Sequence, residues 1–286
     1  MYNWSTDEKR FKKKNPQKYQ LWRLEQLINY GLDGEKLDRE EVKKAWPSIK
    51  GNLDPYIEKG YRIFIMGKSI LTAKQLNFLE LVSKDKQITS RFYFTGGTVL
   101  AQFYLQHRLS EDIDLFTEKE EVNQSLVEAF LKKISLKFSI KEIKKSQFLG
   151  LFSYTLIFND GEKLKVDFNY YPFPRINKGK KFKNLDVDSL YDIAVNKVHT
   201  MFMRTKSRDF IDLYYIMKTF DYSLDQLIKD SKIKFDWHID KITLASQFVK
   251  VKELSDFPTM LVPFDQKDME KFFLNLAKSL ESGIFK

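Results

Sequence analysis

The chain has 286 residues, no cysteine, 43% hydrophobic and 31% charged residues and a formal net charge of +10. That length suits one to three domains with a substantial core, and the composition is ordinary for a soluble globular protein. Zero cysteines exclude disulfides, cysteine-ligated zinc and thiol chemistry. No run of about 18 apolar residues is present to span a membrane, and the opening MYNWSTDEKRFKKK lacks the apolar segment of a secretory signal. A cytoplasmic protein with no membrane partner is expected.

The charge is unevenly spread. Residues 1–20 hold six basic and two acidic side chains, and residues 132–183 hold thirteen and four, so the remainder is slightly acidic. Such clustering suits a polyanion, with RNA or DNA the first candidate. Solvated lysines that only keep a protein soluble give the same pattern.

Residues 1–20 read as polar and loosely ordered. Tyr19 to Tyr30 carries Leu21, Leu24, Leu27 and Ile28 at helical spacing, with Gly31 as a stop. Asp38 to Trp46 reads as a second short helix, capped by Asp38 and ended before Pro47. Trp22 and Trp46 are the candidate anchors of this small helical module. Tyr61–Met66 reads as a strand and Thr72–Val82 as a helix capped by Thr72. Gly67-Lys68-Ser69 matches only the end of a phosphate-binding loop, because Arg62 stands where the first glycine is required.

From Arg91 the texture changes to short β-rich runs. Arg91–Phe94 is the first expected strand, and Thr98–His107 a helix burying Leu100, Phe103 and Tyr104. Asp112–Phe116 follows as a strand and Glu120–Ser135 as an amphipathic helix. Phe138–Ile143, Phe152–Phe158 and Leu164–Tyr170 alternate as strands do, the last two joined through the hairpin signal Asn159-Asp-Gly161. The loop Pro172–Lys183 is basic and proline-punctuated, and marks a boundary. Beyond it helices are expected over Val187–Arg204, Asp209–Phe220, Leu224–Ile233, around Ile242–Val251, and over Lys267–Leu280.

The chemistry concentrates in Phe94–Phe116. Asp112 and Asp114 are two apart on a strand and share a face, with Ile113 and Leu115 on the other. Two like charges that close repel unless a hard cation such as Mg²⁺ or Mn²⁺ sits between them. Gly96-Gly97-Thr98 forms a turn that a phosphate can approach, opening a helix whose free N–H groups suit an anion. Asp167, flanked by Val166 and Phe168, supplies a third strand carboxylate. If its strand neighbours that of Asp112 and Asp114, the three acids converge, fit to hold metal for a phosphoryl transfer with Asp167 as general base. Lys197, Met201 and Arg204 share a helix face, so Arg204 can support whatever role Lys197 has. Asp209 and Asp212 fall in the first turn of a helix expected to be capped by Ser207, where compensation of the helix dipole explains them equally well; Arg208 is a candidate partner for them. His107 reads as a helix-end histidine, and Tyr170, Tyr171 and Phe173 as core or base-stacking aromatics.

Gly-Gly-Thr, a helix and then His107-Arg-Leu-Ser-Glu-Asp-Ile-Asp-Leu-Phe116 resemble the AbiEii/AbiGii-type nucleotidyltransferase toxins of the DNA polymerase β-like superfamily. Lys197, Arg204 and Ser207-Arg-Asp-Phe-Ile-Asp-Leu-Tyr214 resemble that family's later motifs, in the same order, so the likeness spans roughly residues 90–220. The resemblance implies that Ser110, Asp112, Lys197 and Asp209 serve activity, with Lys197, supported by Arg204, as the point charge at the triphosphate. It also implies an NTP substrate, an abortive-infection or toxin–antitoxin role with a cognate antitoxin protein, and RNA, the tRNA 3′ end in particular, as acceptor. Small-molecule transfer, as in antibiotic-modifying relatives, is the alternative within enzymes; an RNA-binding or regulatory module on a transferase scaffold is the alternative outside them. Trp22–Gly31 resembles helical segments of such toxins' partners, which leaves a fused docking module or a structural extension for residues 1–60. The expected fold is α+β, a small mixed β-sheet nucleotidyltransferase core with helices over 71–185. A small helical N-terminal module (1–70) precedes it, and a helical C-terminal domain (186–286) completes the active site.

Overall fold

The computed structural model describes residues 8–32, 34–54, 69–148 and 150–283. The chain divides into two compact units, Met1–Ser69 and Ile70–Lys286. The expected strand Tyr61–Met66, and Gly67 and Lys68, lie outside the described residues.

The first unit contains α1 (Glu8–Lys14), α2 (Pro16–Tyr30) and α3 (Arg39–Ile49). The lysine-rich start thus contains helix rather than loose chain. Phe11 sits edge-to-face on Tyr19 and Trp22, and the Tyr19 hydroxyl donates to Glu8 at 3.1 Å, so aromatic contacts outweigh the poor local pattern. Asp38 caps α3 through Glu41 N–H as expected, but α3 runs through Pro47 to Ile49. The proline removes one N–H from the last turn, while burial of Trp46 and Ile49 with Leu24, Ile28 and Val42 holds that turn in place.

In the second unit α4 (Ala73–Lys84) begins at a capping box in which Thr72 and Gln75 exchange hydrogen bonds. A single turn, α5 (Lys86–Thr89), leads into the sheet. The strands are β1 (Tyr93–Thr95), β2 (Ile113–Thr117), β3 (Ile140–Phe148), β4 (Leu151–Phe158), β5 (Lys163–Tyr170), β6 (Lys181–Phe182) and β7 (Leu185–Val187), in spatial order β3-β4-β5-β2-β1-β7-β6. β2 runs parallel to β5 and antiparallel to β1, and β7 parallel to β1. The Asn159–Gly161 turn joins β4 to β5, with Gly161 at φ +85.

Period-2 alternation sends Ile113, Leu115, Val166 and Phe168 to one face, together with Phe152, Tyr154 and Leu156 of β4. The same core holds Phe78, Leu79 and Val82 of α4 and Val127, Phe130, Leu131 and Ile134 of α7 (Gln124–Ser135). Each such side chain contributes about 1.5–3 kcal/mol when fully buried. The opposite face keeps Asp114, Lys165 and Asp167.

α6 (Gly96–Leu100) follows β1 at once and continues as a π-helical turn, Ala101–Leu105, closed by Gln106 in the left-handed region. The helix therefore starts two residues before the expected Thr98. Val187 belongs to β7, which straddles position 185/186, so the following helix, α8, is Leu190–Met203. α9 (Ser207–Thr219), α10 (Leu224–Phe235), α11 (Lys241–Val249) and α12 (Gln266–Ser279) complete the unit around Phe210, Phe248 and Phe273. Ser207 is the first residue of α9 rather than its cap, and its hydroxyl bonds Asp256. Among the described residues no helix is long and apolar enough to cross a membrane.

Candidate active site

β1 delivers Thr95 to the edge of a cleft of about 520 Å³, and Gly96 at φ +82 turns the chain into α6. A Cβ on Gly96 would lie 2.1 Å from Asp114 Oδ2, and one on Gly97 would lie 2.5 Å from Arg108 Nη2. Gly96 is thus required by conformation and by space together. Gly96→Ala is expected to cost about 1–3 kcal/mol of stability and at least tenfold in nucleotide transfer, read from urea unfolding and from label incorporation. Wild-type values for both would show that the Asp114 carboxylate yields freely to the methyl.

Thr98 is buried and does not line the cleft. Its hydroxyl donates to the Asp112 carbonyl and lies 2.8 Å from the Ser110 hydroxyl, so it braces the loop that Ser110 presents. Gln75 of α4 fixes the same loop, its amide donating at 2.9 Å to the carbonyls of Ser110 and Glu111. Gly96, Gly97 and Ser110 do line the cleft.

Asp112, Asp114 and Asp167 share that cleft, Asp114 standing directly across the β2–β5 ladder from Asp167. Burial first, then the charges of Asp167 and Asp112, push Asp114 up to about 7. Lys165 Nζ bonds Asp167 Oδ2 at 2.8 Å and lies 3.6 Å from Asp112 Oδ2. Asp167 Oδ1 is buried with no hydrogen-bond partner. Three carboxylates, one with an orphaned oxygen and one strained towards its neutral form, are a donor set that fits a hard divalent cation. Among the described residues no three acids or imidazoles are already drawn together into a metal cluster; the Lys165 ammonium stands between two of these acids.

Opposite them lies a cationic wall. Lys197 Nζ is 2.7 Å from Asp209 Oδ1 and 2.6 Å from Asp212 Oδ2, and Arg204 Nε is 3.1 Å from Asp209 Oδ2. Asp212 is fully buried and also accepts Arg108 in a bidentate pair (Nε 2.7 Å, Nη2 2.8 Å), with His107 Nε2 at 2.8 Å. Burial opposes the charge on Asp212, but Lys197 and Arg108 outweigh it and hold its carboxyl well below the usual range. For Asp209 burial is likewise outweighed, by Lys197 and Arg204. The bonds of Arg108 to Asp212 and to the Leu109 carbonyl use three of its five N–H groups, and its Nη2, with one N–H left, lies beside Gly97. Asp209 and Asp212 therefore hold side chains rather than only compensating a helix dipole. Arg208 lines the cleft without an ion-pair partner among the described residues.

The other end of the cleft is formed by Phe116, Tyr171, Ile193, Asn196, His199 and Thr200. His199 stacks on Phe235 at 3.9 Å, and burial lowers its pKa, keeping the imidazole neutral. Phe173 packs on Tyr171 and Phe235. Of the basic run, Lys180 bonds the Phe103 carbonyl, Lys181 pairs with Asp186 and Lys183 with Glu80.

Behind the turn, Asp188 is fully buried, accepting Thr95 Oγ1 at 2.6 Å and Ser189 N–H at 3.1 Å. Burial is the main cause that pushes it up to about 6, against the Thr95 hydrogen bond. The native state therefore holds a proton that the unfolded chain releases near pH 4. The associated stability is present below about pH 4 and lost as pH rises through about 6, a change worth at most about 3 kcal/mol. Asp188→Asn is expected to gain on the wild type over that window, measured as urea midpoints between pH 4.5 and 7.5. A difference that stays constant with pH would contradict this.

The sequence pointed to the glycine turn and the three strand acids and, through the family resemblance, to Ser110, Lys197, Arg204 and Asp209. It gave no site role to Arg108, Lys165, Asp188 or Asp212. The signals were the positions of Arg108 and Asp212 inside the two quoted motifs and of Lys165 two residues before Asp167.

The family model described as "Nucleotidyl transferase AbiEii toxin, Type IV TA system" matches residues 80–281. A curated protein of Aquifex aeolicus (strain VF5), "Uncharacterized protein aq_aa25", is 31% identical over 194 residues, 67% of this chain and 88% of that one. Several solved structures are similar, two of them as follows. JHP933 from Helicobacter pylori has 20% identity and a TM-score of 0.47, over 74% of this chain and 94% of that one. MenT4, nucleotidyltransferase toxin Rv2826c from Mycobacterium tuberculosis H37Rv, has 13% identity and a TM-score of 0.48, over 70% and 80%. With a family match over more than half its length, the chain belongs to the AbiEii family of nucleotidyl transferase toxins of type IV toxin–antitoxin systems, and is a nucleotidyltransferase.

Proposed function

We propose that the chain transfers NMP from an NTP to a hydroxyl of RNA, the tRNA 3′ end first among acceptors, in a reaction dependent on Mg²⁺ or Mn²⁺, and that a cognate antitoxin protein restrains it. The observation that carries this reading is that Asp112, Asp114 and Asp167 line one cleft with the Gly96-Gly97 turn, Arg108 and Lys197. Asp112, Asp114 and Asp167 would hold the metal, which supplies Lewis acidity to the α-phosphoryl group. The Gly96 and Gly97 N–H groups, the Ser110 hydroxyl and the remaining Nη2 N–H of Arg108 bind the triphosphate. Lys197, with two of its three donors fixed by Asp209 and Asp212, directs the third at the phosphates, and Arg204 stands at the mouth with 57% of its side chain exposed. The acceptor oxygen attacks the α-phosphorus, its proton passes to Asp167 Oδ1, and the α–β anhydride breaks to release pyrophosphate, whose charge Lys197 and Arg108 balance.

The test is incubation with each labelled NTP, Mg²⁺ and total tRNA. Label is expected on RNA with wild type, and neither with EDTA nor with Asp112→Ala. Label on protein or on a small molecule instead would overturn the RNA acceptor; no label with any nucleotide would overturn the whole reading. Neutralising Lys178 together with Lys180, Lys181 and Lys183 separates RNA from small-molecule transfer, since only an RNA acceptor should feel the loss.

A further inference from the structure

Among the described residues, Lys165 is the cation that pairs with the strand acids of the cleft floor. Its ammonium bonds Asp167 Oδ2 at 2.8 Å and lies 3.6 Å from Asp112 Oδ2. A divalent ion on the same carboxylate oxygens would sit about 2.0–2.6 Å from them, within a few ångströms of the ammonium, where two like charges exclude one another. The lysine can leave without backbone movement, since its four-carbon stem is flexible and 44% of the side chain is exposed. The cleft is also electrically balanced. With Asp212 behind it, the acids Asp112, Asp114 in its ionised form, Asp167 and Asp209 face Lys165, Lys197, Arg108, Arg204 and Arg208, so a free divalent ion finds little net attraction there.

From this geometry we infer that Lys165 is the internal counter-cation of the Asp112/Asp114/Asp167 triad, that its ammonium occupies the place between Asp112 and Asp167 until a divalent ion takes those oxygens, and that metal loads by displacing it. Lys165 is thus a positioning residue for the carboxylates. It has two effects of opposite sign. It stabilises the metal-free fold against three converging like charges, and it weakens binding of the free ion. A residue needed only for folding would show the first effect without the second.

The test compares wild type, Lys165→Met and Lys163→Met. Lys163 lies two residues earlier on the same strand face, is exposed, and makes no contact with the three acids among the described residues. Free Mn²⁺ is titrated by electron paramagnetic resonance, and thermal unfolding is recorded in EDTA and in Mn²⁺. Lys165→Met is expected to bind Mn²⁺ at least tenfold more tightly than wild type, to melt below it in EDTA, and to gain more on adding Mn²⁺. Lys163→Met should change affinity less than twofold. If Lys165→Met does not fold, Lys165→Gln, which keeps a donor for Asp167, carries the same comparison. Unchanged Mn²⁺ affinity without Lys165, equal tightening by both substitutions, or no Mn²⁺ binding by any protein would each overturn the inference. It rests on the metal-dependent reading above, and the two fail separately: absent label transfer leaves the Mn²⁺ comparison standing, and Mn²⁺ bound no more tightly by Lys165→Met leaves the transferase standing.

Discussion

Asp114→Asn is expected to reduce nucleotide transfer by roughly 10³-fold, about 4 kcal/mol of barrier, while raising the melting temperature of the metal-free protein. The two effects share one cause. Asp114 sits across the ladder from Asp167, with Asp112 two residues away on its own face, and burial with those two charges drives its carboxyl up to about 7. Without metal this is repulsion, and directly opposed like charges destabilise a sheet. The isosteric amide removes the charge and keeps the shape, for a gain of about 1 kcal/mol, or some 2–4 °C in a unit of this size. With metal the sign reverses, because the amide cannot neutralise a divalent ion. Melts in EDTA and in Mg²⁺ should therefore cross: the variant higher without metal, the wild type gaining more with it. Transfer within tenfold of wild type would remove Asp114 from the catalytic set.

What the sequence disclosed follows from the range of the interactions involved. Asp112, Asp114 and Asp167 were legible because strand alternation is local, and the apolar residues flanking each acid declare which face it takes. Gly96-Gly97 was legible because a close backbone approach leaves glycine as its trace. Arg108, Lys165 and Asp212 were not, because their meaning lies in partners brought by the fold. Asp212 looks like any first-turn acid until Arg108, 104 residues away, is placed on it. Lys165 looks like a solvated strand lysine until β2 arrives alongside β5. β6 and β7 escaped for a different reason, since two- and three-residue strands have no period to read. Pro47 misled because a steric rule for helix ends was applied to a last turn that side-chain burial holds in place. Family resemblance carried Lys197 and Asp209 where no local pattern could.

Asp209 and Asp212, three residues apart on α9, are expected to separate stability from activity. Asp212→Ala removes the shared partner of Arg108, His107 and Lys197 from a site that is fully buried, with Arg108 itself 2% exposed. An uncompensated buried cation costs about 3–5 kcal/mol. The variant should lose that much in urea unfolding, and transfer should fall with it because Arg108 no longer holds its Nη2 beside Gly97. Asp212→Asn, which retains one acceptor and the volume, should lose less. Asp209 is itself only 2% exposed, but Asp209→Ala leaves Lys197 its bond to Asp212 and frees Arg204, whose side chain is already 57% exposed, so its stability cost should be about 1–2 kcal/mol, below that of Asp212→Ala. Its transfer should nevertheless fall at least tenfold, because Lys197 loses one of the two carboxylates that aim its third donor. The measurement is paired urea unfolding and label transfer for both variants. Equal losses of stability would mean that Asp209 and Asp212 act as one structural cluster, and full activity in Asp209→Ala would mean that Lys197 is aimed by Asp212 alone.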